Sequence, residues 1–258
     1  MGIARTRLDT RLVQQGLAPS RERARAIILA GLVLVDGAVA SKAGTPVAPG
    51  ASVTLRRPDH PYVGRGGVKL AHALDAFRVP VSGRDALDIG ASTGGFTDVL
   101  LRRGAARVVA LDVGRGQLDW RLRNDPRVVV IEGCNARYLT PEDLPGGADL
   151  VTVDVSFISL RQILPRLAPL LKAGADVIAL VKPQFEAGRA EVGRKGLVRD
   201  PRVHERVLAR VSQAAAEARL IRVGTTASPI TGTTGNQEYF LHLKAESDMI
   251  DAERGAHD

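Results

Sequence analysis

Four charged side chains stand out by where they fall. Asp154 closes the apolar run Asp149-Leu-Val-Thr-Val-Asp154, and Lys182 directly follows Val177-Ile-Ala-Leu-Val181. Lys69 lies in an amphipathic helix pattern running from Val68 to Phe77, and Glu238 opens the run Glu238-Tyr-Phe-Leu. A charge at the carboxyl end of a buried strand reaches the crevice where open α/β sheets bind ligands. Any one of the four alone is more often a solvated strand terminus, and Glu238, at a strand start, is the least telling. Together, two amines and two carboxylates are suited to taking a proton from a weakly acidic hydroxyl and stabilising the charge that develops.

A second cluster is a glycine-rich turn. Ala86-Leu-Asp-Ile89 runs into Gly90-Ala-Ser-Thr-Gly-Gly95, and Phe96 to Leu101 then begins a helix pattern. Strand, turn and helix in this order bring backbone close to a ligand at the sheet edge. Asp112 ends the next strand pattern, where an acid can accept hydrogen bonds from a ribose diol. A dinucleotide site would favour G-x-G-x-x-G. Here Ser92 replaces the second glycine, which suits a ligand without phosphates, such as S-adenosylmethionine. The same residues also satisfy G-x-S-x-G, so a serine hydrolase using Ser92 with Asp154 and His204 is a competing reading. That elbow follows several strands in hydrolases, whereas this turn follows the first.

These residues need a scaffold, and the chain supplies an alternating one. Candidate strands fall at 85–89, 107–112, 128–132, 149–154, 175–181, 220–227 and 238–244. Helices fit at 95–103, 115–122, 158–171 and 201–218. The alternation predicts an α/β fold, a doubly wound Rossmann-like sheet that is parallel except for its last strand, which no helix precedes. Aromatics are only 3% of the 258 residues, so the core is aliphatic. Cys134 is the single cysteine, which excludes an intrachain disulfide, and the five histidines show no metal-ligand spacing, so no metal is expected. The longest uncharged apolar run, residues 26–35, falls short of the roughly 20 residues that span a bilayer. With no signal-type segment, a soluble, cytoplasmic protein without a membrane partner is expected.

Ahead of that scaffold lies a different composition. Residues 1–58 hold nine Lys/Arg against three acids, most of the net +8 of the chain. Concentrated positive charge suits a polyanion, because phosphate contacts release counterions. Helix patterns over Arg7–Gln15 and from Ser20 to Gly31 are followed by a hairpin pattern around Asp36-Gly37. Arg7, Arg11, Arg21, Arg23 and Arg25 ride on the two helices and are the candidate RNA-binding residues. The stretch "RLDTRLVQQGLAPSRERARAIILAGLVLVDG" resembles an S4 RNA-binding domain, a small α+β module, over residues 5–57. A solvated basic face on a structural domain is the plainer alternative. The expected organisation is this module, a linker at 58–65 marked by Pro58-Asp59-His60-Pro61, a catalytic domain at 66–245, and a polar tail at 246–258.

The motifs "GGVKL", "LDIGASTGGFTDVLL", "ALDVG", "VDVSFISL", "LVKPQFE" and "GNQEYFLHL" resemble the TlyA family, which joins an S4 domain to an FtsJ/RrmJ-like methyltransferase domain. The resemblance covers residues 5–245. It implies 2′-O-methylation of cytidine ribose in ribosomal RNA with S-adenosylmethionine as donor and a Lys69-Asp154-Lys182-Glu238 tetrad. It also implies cofactor contacts at Gly90, Ser92, Thr93, Gly94, Gly95, Phe96, Asp112, Val113, Asn135 and Ala136, with Asn135 facing the adenine. Ribosomal RNA, in the ribosome or its subunits, is the implied partner. Some members are called hemolysins, yet no apolar span or amphipathic membrane segment here accounts for pore formation. Within that frame Lys182 is expected to be the base and Lys69 the neighbouring charge, with Asp154 and Glu238 holding them. The loop from Gln184 to Arg199 either guides RNA or is a solvated surface loop. An inactive methyltransferase fold that only binds RNA is the rival reading. A pseudouridine synthase, suggested by Arg7-Leu8-Asp9, leaves the Gly90 turn unexplained.

Overall fold

The computed structural model describes residues 5–18, 20–56 and 60–246. Thr6–Arg7 (β1) leads into two helices, Leu8–Gln14 (α1) and Arg21–Leu29 (α2). Four short strands follow: Val33–Val35 (β2), Ala38–Val39 (β3), Pro46–Val47 (β4) and Val53–Leu55 (β5). Ser20 caps α2, its hydroxyl accepting the Arg23 N–H at 3.1 Å. Asp36 and Gly37 both take positive φ, 50° and 81°, the two-residue turn that matches strand twist in a hairpin. The sheet runs β3-β2-β5, and β1 pairs antiparallel with β4, a contact the sequence pattern did not suggest. Leu8, Leu12, Ala24, Ile27, Ile28, Val33, Val47 and Val53 form a separate small core beneath the helices.

The rest of the chain winds around one sheet. Gly66–Phe77 (α3) precedes Asp85–Ile89 (β6), Gly95–Arg102 (α4), Arg107–Asp112 (β7), Trp120–Arg123 (α5), Val128–Glu132 (β8) and Ala148–Val153 (β9). Leu171–Val181 (β10), Pro183–Glu186 (α6), Pro201–Glu217 (α7), Leu220–Ala227 (β11) and Tyr239–Ala245 (β12) complete it. The sheet order is β11-β12-β10-β9-β6-β7-β8, parallel apart from β12, which runs antiparallel to both its neighbours. This is the doubly wound sheet with a reversed last strand that the alternation predicts. Apolar clusters cover both faces, one including Leu87, Val151 and Val177, the other Leu100, Ile178 and Phe240.

Two expected helices differ. The stretch 158–171 forms three short 3₁₀ turns, Leu160–Gln162, Leu164–Arg166 and Ala168–Leu170. Pro165 and Pro169 remove backbone donors there, so a continuous helix cannot close its hydrogen bonds. The stretch 115–122 is helical only from Trp120, because Gly116 sits at φ 67° and Asp119 caps the helix. Residues 57–59 of the expected linker and 247–258 of the expected tail lie outside the described residues. No helix among the described residues is long and apolar enough to cross a membrane.

Candidate active site

Strand ends at the carboxyl edge of the sheet gather the four charged residues. Lys182 Nζ lies 2.5 Å from Asp154 Oδ1 and donates to Ser156 Oγ at 2.9 Å. Lys69 Nζ lies 2.5 Å from Glu238 Oε2. The two pairs are contiguous by register: Val181 faces Tyr239 across β10 and β12, so the next residues along, Lys182 and Glu238, meet at the same end. On the other side Ala179 faces Val153 in parallel, which brings Asp154 beside the end of β10. Amine–carboxylate pairs thus run in a row from α3 across three strand ends. All four side chains are largely buried.

The glycine turn lies next to this row. The Asp154 N–H donates to the Ile89 carbonyl at 2.8 Å. Gly90, at φ 85°, approaches the Asp154 carbonyl so closely that a Cβ would strike it. Ser92 takes φ 48°, an uncommon value for a residue with a side chain. It is held there by donating its N–H to Asp112 Oδ2 at 2.8 Å, while Asp112 Oδ1 accepts the Gly114 N–H at 2.6 Å. A cleft of about 470 Å³ opens above, lined among others by Gly90, Ser92, Asp112, Val113, Asn135, Ala136 and Asp154. That volume suits a nucleoside-sized ligand.

The expected ligand contacts divide into two groups. Gly90, Ser92, Asp112, Val113, Asn135 and Ala136 line the cleft, whereas Thr93, Gly94, Gly95 and Phe96 do not. Leu118 and Leu122 fill the space a Gly94 side chain would need, and Gly95 rests on the backbone of Gly64, Gly66 and Gly67. Phe96 is buried 6.2 Å from Phe240. These three pack behind the turn because its glycines admit close backbone contacts there, and Thr93 lines an adjoining crevice. Asn135 Oδ1 accepts the Arg137 N–H at 3.1 Å, which leaves its amide nitrogen for a ligand. The carboxylate of Asp112 is likewise engaged by backbone but keeps a second lone pair on each oxygen.

Several residues of the site escaped the sequence analysis. Phe157 stands at the rim of the cleft, 90% exposed, at φ 65°, with its ring 5.0 Å from that of Phe185. Buried Glu186 steadies this loop by accepting from Ser159 Oγ at 2.5 Å and the Leu160 N–H at 2.6 Å, and burial pushes its carboxyl up. The signal was present, since "VDVSFISL" puts an aromatic three residues past a strand-end acid. Asp88, beneath the turn, is fully buried between Thr97 Oγ1 at 2.7 Å and Thr152 Oγ1 at 2.9 Å. Burial pushes its carboxyl up to about 6.

The five arginines of the first module also divide. Asp9 is wholly buried and pairs with Arg7 at 2.9 Å, Arg21 at 3.3 Å and Arg25 at 3.4 Å, each of these guanidinium groups being half exposed. The hydrogen bond from Arg7 is foremost in holding the Asp9 carboxyl well below the usual carboxylate range. Arg11 donates to the Pro49 carbonyl. Arg23 turns inward and pairs with Asp119 of the larger unit at 2.9 Å. Neither rival enzyme finds its machinery: Ser92 Oγ donates to Gln117 at 3.2 Å, while His204 is occupied by Tyr239 Oη and the Val198 carbonyl. Asp9 is closed to any nucleotide.

Comparison with known proteins follows the same division. The family model for FtsJ-like methyltransferases matches residues 62–245, and that for the S4 domain matches residues 6–53. The chain is 50% identical to the 16S/23S rRNA (cytidine-2′-O)-methyltransferase TlyA of Mycobacterium tuberculosis, over 98% of this chain and 95% of that protein. It is 40% identical to Hemolysin A of Brachyspira hyodysenteriae, over 92% and 99%. A solved chain from Streptococcus thermophilus, provisionally named a hemolysin, is 43% identical with a TM-score of 0.73, covering 96% of this chain and 92% of that one. With half of its residues shared along almost its full length, the chain belongs to the TlyA family of FtsJ-like methyltransferases that carry an S4 domain.

Proposed function

We propose that the protein methylates the 2′-hydroxyl of a cytidine ribose in ribosomal RNA, presented within the ribosome or its subunits, with S-adenosylmethionine as donor. The observation that carries this reading is the pair of ion pairs Lys69–Glu238 and Lys182–Asp154, on adjoining strand ends beside a cleft walled by the Gly90 turn. The donor supplies an electrophilic methyl group, whose bond to sulfur breaks as the ribose oxygen takes it. Gly90 and Ser92 offer close backbone, and Asp112 and Asn135 the polar contacts, that would hold such a nucleoside.

A ribose hydroxyl is a very weak acid, so its proton must leave as the oxygen attacks. In this reading Lys182 Nζ reacts as the neutral amine, taking that proton to become the ammonium paired with Asp154, and the Lys69 ammonium stabilises the developing oxygen charge. Asp154 and Glu238 orient the two amines, and Ser156 fixes Lys182 from a third side. Phe157 offers an open ring at the rim on which a base can stack, worth about 1–3 kcal/mol. The half-exposed arginines around Asp9 supply the phosphate contacts. We place the division between the two units in residues 58–65.

Ribose methylation mapped across ribosomal RNA, with and without the protein, tests this directly. A single new 2′-O-methylcytidine that disappears with Lys182→Ala supports it. Donor binding without transfer to any RNA species would leave an RNA-binding protein on an idle fold.

A further inference from the structure

The S4 module touches the catalytic unit where the donor cleft is built. The segment joining β7 to α5 lies between them. On its inner side the Asp119 N–H donates to the Thr93 carbonyl at 3.1 Å, and Gln117 Oε1 accepts from Ser92 Oγ at 3.2 Å. Leu118 and Leu122 pack on Gly94. Three successive residues of the donor turn are therefore set by this one segment. On its outer side α2 presses on it: Arg23 pairs with Asp119 at 2.9 Å, and Glu22 comes so near Gly116 that a Cβ there would strike its carboxylate. Gln117 itself lines the donor cleft and both crevices beneath α2.

Arg23 is 25% exposed and Asp119 only 7%. Arg121 also donates to Asp119, from Nε to Oδ1 at 3.1 Å and from Nη2 to Oδ2 at 3.4 Å. Removing the Arg23 guanidinium takes the nearer cation from Oδ2 and leaves this desolvated carboxylate to Arg121 alone, which shifts its surroundings. Asp119 lies outside the donor cleft, but its N–H holds Thr93, the residue after cleft-lining Ser92, and Gln117 two residues before it lines the cleft itself. We propose that Arg23 is a positioning residue for the methyl donor, acting through Asp119 and Gln117, so that the S4 module forms part of the donor site as well as an RNA contact. By linkage, donor binding tightens the docking of α2 against the catalytic unit by the same factor. An enzyme that measures RNA from one domain to a reacting atom in the other gains a fixed spacing only when the donor is loaded. This rests on the methyltransferase reading above.

The test uses the full chain without RNA, titrated with S-adenosylmethionine in a calorimeter. Arg23→Gln keeps the side-chain stem and loses the charge. It is expected to weaken donor binding roughly tenfold, to raise KM for the donor with kcat little changed, and to be largely rescued by Arg23→Lys. Arg21→Gln, on the same helix but paired to Asp9, is expected to weaken RNA binding and leave donor affinity alone. Equal donor affinity in Arg23→Gln and the unaltered protein, with RNA binding reduced, overturns the proposal and makes Arg23 an RNA contact only. Should Arg23→Gln misfold, hydrogen exchange decides in the unaltered protein. Saturation with S-adenosylhomocysteine must slow exchange across Arg21–Leu29, and unchanged exchange there overturns the idea. Absence of donor binding by the unaltered protein would instead sink the methyltransferase reading itself.

Discussion

Two clusters of arginine or lysine against carboxylate differ in their stoichiometry. In the S4 module one buried acid, Asp9, serves three arginines whose guanidinium groups remain half exposed. At the sheet edge two lysines meet two carboxylates one to one, and all four are largely buried. The first arrangement keeps two positive charges facing water and fixes where they point, which suits attraction to a phosphate backbone. The second is neutral as a whole, so it adds little long-range pull. Its charges sit where water is scarce, and there they act strongly on a reacting group. In the function proposed above, affinity is gathered in one region and chemistry in the other.

Removing Lys182 should break the comparison most sharply. Lys182→Ala is expected to lower the single-turnover methyl-transfer rate by about 10³-fold, with donor and RNA affinities nearly unchanged. A rate within tenfold of the unaltered protein would take the base role from Lys182.

The next largest effect is on stability, through two buried acids displaced in opposite directions. The folded value for Asp88, about 6, lies above its ordinary 3.8. Between these pH values the folded chain keeps a proton that the unfolded chain has lost. Stability from this group is therefore full below about pH 4 and falls as the pH rises through 6, by roughly 3 kcal/mol in all. Asp88→Asn is expected to raise the melting temperature at pH 7.5 and to flatten the profile between pH 4 and 6. Asp9 is depressed, so what it contributes is present above its ordinary pH range and is lost on acidification. Asp9→Asn should remove that acid-side loss, as urea unfolding at stepped pH would read out.

Two smaller effects separate the RNA contacts by their salt dependence. Phe157→Ala is expected to raise KM for RNA about tenfold with the salt slope unchanged, because stacking releases no counterions. The double variant Arg21→Gln and Arg25→Gln should weaken RNA binding about fivefold and reduce the slope of log affinity against log salt by about two. Equal slopes for both variants would erase the distinction between the regions.

Much of this was legible before the fold. Strands of β-branched and aliphatic residues, the Ser20 cap, the Asp36-Gly37 hairpin and the reversed last strand follow from local periodicity and turn chemistry, which a short stretch of chain carries by itself. Lys69, Asp154, Lys182 and Glu238, singled out by placement and family motifs, do come together at one edge of the sheet. The three turns at 160–170 were also in reach, since Pro165 and Pro169 forbid the helix that the apolar pattern suggested. What the sequence could not say was which way equivalent residues face. Arg21 and Arg23 stand two positions apart on one helix, so they point to different sides. Only the docking of α2 decides that one meets Asp9 and water while the other meets Asp119. In the same way, Gly94 and Gly95 became packing surfaces once Leu118 and Gly67 arrived from distant segments. Local conformation depends on neighbours in sequence, but charge pairing and close approach depend on neighbours in space, and those exist only after the chain has folded.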